Sequence, residues 1–168
     1  MAKIHLVVGP VGAGKSTFAL QLCKENNAVR LTLDEWMTEL FSEDRPVNGV
    51  MDWYTERTQR CIEQIWKVAQ RLIQVDTNVV LEIGLIQRHQ RRAFYKRVNA
   101  ENIELSIHVL DAPRELRRER VEQRNMEKGT TFSMVVPADI FELASDMWEP
   151  PTESECIDRD VHFIFSEE

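Results

Sequence analysis

Eight consecutive residues constrain this chain more than any other feature: Gly9-Pro10-Val11-Gly12-Ala13-Gly14-Lys15-Ser16 fits G-x-x-x-x-G-K-[ST] without a gap. An apolar run, Ile4 to Val8, precedes the motif, and a helical pattern from Ser16 to Asn26 follows it. Glycines let the backbone curl so that successive N–H groups point inward, and the helix N-terminus brings the positive end of its dipole to the same place. The segment therefore reads as a phosphate-binding loop (P-loop), with Gly9, Pro10, Val11, Gly12, Ala13, Gly14, Lys15, Ser16 and Thr17 around the phosphates. Lys15 is expected to reach the β- and γ-phosphates and the Ser16 hydroxyl to hold Mg²⁺, so the expected ligand is ATP or another nucleoside triphosphate. A turn that merely joined strand to helix would not need all eight positions to fit.

The rest of the chain alternates short apolar runs with longer helical patterns, which is the signature of an α/β domain. Strands are expected at Ile4 to Val8, Ala28 to Leu33, Asn78 to Ile83, Ile103 to Leu110 and Val161 to Phe165. Helices are expected from Asp52 to about Val75, Gln87 to Ala100, Pro113 to about Lys128 and Pro137 to Met147. Strands joined by helices imply right-handed crossovers and a largely parallel sheet, with its ligand site at the carboxyl ends of the strands.

Nucleotide binding alone does not define a reaction. Asp34, expected at the end of the second strand beside the P-loop, has two readings: a carboxylate that orients and deprotonates an acceptor hydroxyl, or the N-cap of the helix that follows. Glu82 ends the third strand, where it would either anchor Mg²⁺ or its water or form an ion pair with an arginine. Arg117, Arg120 and Arg124 recur at i, i+3 and i+7 and share one helix face. They would close over the triphosphate as part of a lid, Arg117 binding it and Arg120 and Arg124 neutralising the charge that develops during transfer; the competing reading is a solvated face paired with Glu115, Glu119 and Glu122. Arg88, Arg91 and Arg92 read as surface residues ahead of acceptor binding. His5, His89, His108 and His162 lack metal-like spacing and read as core or edge residues, while Trp36 is placed to line an acceptor pocket.

The chain has 168 residues, 43% hydrophobic and 29% charged, which fits one compact domain and excludes a fibrous or disordered one. No apolar run approaches the roughly 18 residues of a membrane span, so a cytoplasmic protein is expected. Cys23, Cys61 and Cys156 are too scattered for a disulfide framework or a zinc pair and read as buried thiols. The net charge is -7, yet the stretch from Ile86 to Lys128 carries eleven Lys or Arg against seven acids. A local arginine cluster suits a compact polyphosphate; an acidic whole makes extended nucleic-acid binding a poor expectation.

With the P-loop go Asp34, Arg117-x-x-Arg120-Val121-x-x-Arg124-Asn125 and Trp148-Glu149-Pro150-Pro151-x-x-x-Glu155. On these residues almost the whole chain resembles small bacterial ATP-binding proteins of the AAA-type P-loop class, many described as predicted kinases. The resemblance implies kinship with chloramphenicol phosphotransferase, zeta-toxin kinases and the kinase domain of polynucleotide kinase. It implies a three-layer P-loop NTPase fold over residues 1–168, with a mostly parallel five-stranded sheet in the order 2-3-1-4-5 and a lid at about 112–131. It further implies ATP-Mg²⁺ on Lys15 and Ser16, Asp34 as acceptor base, and transfer to a hydroxyl of a small molecule or nucleotide. Glu82 stands where many relatives have Asp, which puts a longer carboxylate at the metal position. Two rivals stand beside that reading: an ATP-hydrolysing switch that acts on a protein partner, and a polynucleotide 5′-kinase.

Overall fold

The structure, a computed structural model, describes residues 1–129 and 135–167. Its five strands are β1 (Lys3–Val8), β2 (Val29–Thr32), β3 (Val79–Glu82), β4 (Glu104–Asp111) and β5 (Asp160–Phe165). All neighbouring strands pair in parallel, and their order is β2-β3-β1-β4-β5. β1 thus lies between β3 and β4 with β2 at an edge, as the resemblance implies.

Parallel strands need crossovers, and the helices supply them: α1 (Lys15–Asn26), α2 (Leu33–Phe41), α3 (Val50–Gln74), α4 (Arg88–Ala100), α5 (Arg114–Glu127), α6 (Ala138–Met147) and the single turn α7 (Glu153–Cys156). Alternation along β1 sorts the layers. Ile4, Leu6 and Val8 join the larger core with Leu33 and Met37 of α2, Cys61, Ile65, Trp66 and Ala69 of α3, and Phe94, Tyr95 and Val98 of α4. Val7 faces the other way and packs with Ala19 and Leu22 of α1, Val80 and Leu110. β3 is buried along its whole length, as expected of a strand covered on both faces.

The second strand differs from expectation in a way that bears on the site. Extended backbone stops at Thr32, and Leu33 already opens α2. Leu33 enters the core equally well from the first turn of a helix, so its burial does not require a strand. Asp34 is therefore a first-turn residue of α2, not the strand's last residue, and the helix cap is Thr32, whose side chain makes no capping hydrogen bond.

Candidate nucleotide-binding site

The P-loop is shaped by what presses on it. Gly12 and Gly14 take φ values of 81° and 92°, in the left-handed region that other residues avoid, and the Ala13 N–H donates to the Pro10 carbonyl at 3.2 Å. A Cβ on Gly12 would stand 2.6 Å from the Arg117 carbonyl oxygen, so the backbone of α5 lies directly against the loop. Lys15 opens α1, and its ammonium turns inward to donate to the carbonyls of Gly9 (2.8 Å) and Pro10 (2.9 Å). Burial pulls Lys15 down to about 8; the negative charges of Asp34 and Glu82 oppose the shift, and Arg124 and Arg117 add to it. Four charges expected at the site thus lie within electrostatic reach of Lys15. Thr17 follows on the first turn of α1, itself exposed where Lys15 and Ser16 are half-buried.

The third strand delivers Glu82 beneath that turn. The Ser16 hydroxyl donates to Glu82 Oε2 at 3.2 Å, and Arg30 Nε donates to Glu82 Oε1 at 2.6 Å. Of the two expected readings of Glu82, the ion pair is present, with Arg30, while the other oxygen accepts from the P-loop serine. Sequence reasoning missed Arg30, whose position two residues before Thr32 on an alternating strand was the available signal. A hydroxyl and a carboxylate side by side are hard oxygen donors of the kind Mg²⁺ takes. Among the described residues no group of three or more His, Cys, Asp or Glu is arranged to hold a metal ion. A divalent ion at Ser16 and Glu82 would therefore complete its shell from phosphate and water, the usual arrangement for Mg²⁺ on a nucleotide.

Asp34 is exposed on the first turn of α2, where the helix dipole favours its charge. That charge reaches Lys15 on one side and Tyr54 of α3 on the other: burial raises the Tyr54 phenol above its ordinary value, and Asp34 raises it further. Asp34 is thus coupled electrostatically both to the nucleotide loop and to α3. Trp36 is half-buried and packs on the larger core. Tyr54 was not singled out from sequence because a lone tyrosine on a long amphipathic helix reads as packing.

The three arginines of α5 separate. Arg117 is 5% exposed; its Nε donates to the Ala112 carbonyl, and its Nη1 to the Val11 carbonyl and to Ser145 Oγ, each at 3.0 Å. Its guanidinium also lies 5.5 Å from the Phe141 ring centre. Arg120 donates to Ser166 Oγ (2.7 Å) and to the Gly12 carbonyl (3.4 Å) at the mouth of the loop. Arg124 is half-buried with its charge felt by Lys15, and its Nε has no hydrogen-bond partner among the described residues. The segment 112–131 expected as a lid begins on residues packed against the P-loop, and its last two residues lie outside the described ones.

Elsewhere the structure corrects two readings. Arg91 is wholly buried instead of lying on the surface, its guanidinium paired with Glu155 through Nε (2.5 Å) and Nη2 (3.1 Å) and donating to the Leu85 and Glu149 carbonyls. The Trp148–Glu155 motif is thereby the docking partner of α4. Of the three thiols only Cys61 is buried; Cys23 and Cys156 are partly exposed. His5, His108 and His162 come together on β1, β4 and β5 as a stack, with ring centres 5.4 and 5.2 Å apart. Among the described residues no helix is long and apolar enough to cross a membrane.

Comparison with known proteins agrees with this fold. No curated protein matches the chain. Many solved structures share its fold, three of them as follows. Kti12 from Chaetomium thermophilum, in complex with ADP-AlF3, has a TM-score of 0.70 at 14% identity and covers 96% of this chain and 88% of its own. A sugar kinase from Janibacter sp. has a TM-score of 0.65 at 13% identity, covering 98% and 86%. The APS kinase of Mycobacterium tuberculosis, in complex with AMPPNP and APS, gives 0.63 at 16%, covering 98% and 88%. These likenesses establish a kinase-like P-loop fold. The family model described as an AAA domain matches residues 4–150, and the chain belongs to that family.

Proposed function

We propose that the protein is an ATP-dependent phosphotransferase that moves the γ-phosphoryl group of ATP to a hydroxyl of a small molecule or nucleotide. The observation that carries the reading is Asp34: a carboxylate on a helix's first turn, within electrostatic reach of the P-loop lysine and open to the α2–α3 side. A kinase needs that carboxylate to face an open acceptor site, whereas a switch that only hydrolysed ATP would use a water-positioning group there and add a surface for its partner.

In this reading the backbone of Gly9 to Gly14 and the N-terminus of α1 cradle the phosphates, with Thr17 on the same turn. Lys15 exchanges its two carbonyl partners for β- and γ-phosphate oxygens. Bound Mg²⁺ would neutralise β- and γ-phosphate charge, held by Ser16 and, through Oε2, by Glu82. Asp34 orients the acceptor hydroxyl and takes its proton as the hydroxyl oxygen bonds to the γ-phosphorus; the bond from that phosphorus to the β–γ bridging oxygen breaks, and ADP leaves. Arg120 and Arg124 offer guanidinium charge to the transferring group, while Arg117 serves the nucleotide through the Val11 carbonyl that it holds. Such an enzyme belongs in the cytoplasm with its ATP, and a net charge of -7 suits a compact acceptor better than a long nucleic acid.

The test begins with ATP-Mg²⁺ and fractionated metabolites, read by mass spectrometry for a gain of one phosphoryl group. With the acceptor in hand, Asp34→Asn should keep ATP affinity within a few-fold and slow single-turnover transfer by on the order of 10²-fold or more. Lys15→Ala should lose most triphosphate affinity. Undiminished transfer by the Asn variant removes Asp34 as the base, and a metabolite screen in which nothing gains a phosphoryl group removes the phosphotransferase reading.

A further inference from the structure

We propose that Arg30 is a built-in counter-ion for Glu82 that makes divalent-cation binding conditional on nucleotide. The proposal deepens the reading above and rests on it for the identity of the metal position.

Glu82 is a charged group at 8% exposure, and both of its oxygens are engaged: Oε1 by the Arg30 guanidinium at 2.6 Å, Oε2 by the Ser16 hydroxyl at 3.2 Å. The sheet register explains the pairing. Thr32 lies opposite Glu82 and Arg30 opposite Val80, so Arg30 and Glu82 point to the same face one diagonal apart, within reach of a long side chain. Cys23 of α1 packs on that face: burial raises its thiol, with Arg30 opposing the shift and Glu82 adding to it, so the ion pair sits under α1.

A buried carboxylate with no cationic partner is costly and attracts whatever cation is at hand. Beside the P-loop that cation would be free Mg²⁺. Arg30 supplies the positive charge internally. Counting the charges gathered here, Lys15, Arg30, Arg117 and Arg124 against Glu82 and Asp34, the site without nucleotide carries no negative excess to draw a dication. A triphosphate reverses that balance with its own negative charges, so the metal enters with the nucleotide. Arg30 also holds Oε1, which leaves Oε2 aimed at Ser16 despite the extra methylene of Glu over Asp. Arg30 is on this account a positioning residue, not a catalytic one.

The experiment measures Mn²⁺ binding by the nucleotide-free protein, using the electron paramagnetic resonance signal of free Mn²⁺. The wild type should bind weakly. Arg30→Ala should bind at least about ten-fold more tightly, the lower bound set by removing one unit charge a few ångströms from a dication at the dielectric of bulk water, about 80. Arg30→Lys, which keeps the charge, should stay within a few-fold of wild type, and Arg30→Ala combined with Glu82→Gln should return to wild-type weakness. Arg30→Gln, which preserves the length of the side chain, repeats the measurement if the alanine variant does not fold. No gain on removing the charge, or a gain that survives Glu82→Gln, overturns the proposal. Because neither ATP nor acceptor is present, failure of the phosphotransferase reading would appear in the transfer assay and not here.

Discussion

Arg117→Met separates two roles that the sequence pattern of α5 leaves mixed. Methionine keeps much of the apolar stem and removes a guanidinium that holds three acceptors, the carbonyls of Ala112 and Val11 and the Ser145 hydroxyl. Hydrogen bonds from a charged donor contribute about 1.5–3 kcal/mol each, and the contact with Phe141 adds about 1 kcal/mol. Against this stands the cost of burying the cation, visible in the lowering of the Arg117 pKa by burial. A net loss of about 3–5 kcal/mol follows, the usual scale for breaking a buried charged network. For a chain of this length that is a fall of roughly 6–20 °C in Tm, readable by circular dichroism and urea unfolding. Nucleotide affinity, measured by calorimetry at a temperature where the variant is folded, should fall only as far as the Val11 carbonyl lets the loop relax. Arg117→Lys, with one ammonium for three acceptors, should recover less than half of the stability. A variant about as stable as wild type whose ATP affinity had nevertheless collapsed would mean direct phosphate contact, and the framework role would be refuted.

Gly12→Ala and Gly14→Ala both place a side chain at positive φ, but only the first meets another backbone. Gly14→Ala should cost about 1–2 kcal/mol from strain alone and Gly12→Ala clearly more, so equal urea midpoints would contradict the packing of α5 on the loop. The histidine stack predicts acid sensitivity: burial, with His5 and His162 beside it, holds His108 at about 4 against an ordinary 6.5. The unfolded chain then binds the extra proton between those values, so stability is full above pH 6.5 and falls as pH drops toward 4, by about 3 kcal/mol from His108, with His5, also lowered chiefly by burial, acting in the same direction. His108→Gln should flatten that slope, and an unchanged pH dependence of the urea midpoint would remove the stack as its cause.

What the sequence made legible was whatever a short window contains. The P-loop is eight contiguous residues, and its strand-loop-helix setting follows from periodicity on either side of it. Asp34 was found as a site residue but misplaced by one element, because Leu31-Thr32-Leu33 satisfies the core whether Leu33 ends a strand or begins a helix. Arg117 and Arg91 were harder. Each sits in a run of charges that looks solvated, and the partners that bury them lie far away in sequence, Val11 for one and Glu155 for the other. The stack of His5, His108 and His162 exists only once β1, β4 and β5 are laid side by side, and no spacing along the chain announces it.

The close approach of α5 to Gly12 has a consequence for anyone who would move this loop or retune it. A nucleotide cradle walled by another segment's main chain is a fitted part: grafted into a different scaffold without the corner between β4 and α5, the same eight residues would lose the surface that sets their curvature. The converse also holds. A one-residue insertion near Ala112 or Pro113 would shift the Arg117 carbonyl and reshape the cradle from behind. Affinity for nucleotide could then be dialled by the length of a turn outside the eight-residue motif, and a loop already braced on that side would have little freedom left to lose when the ligand arrives.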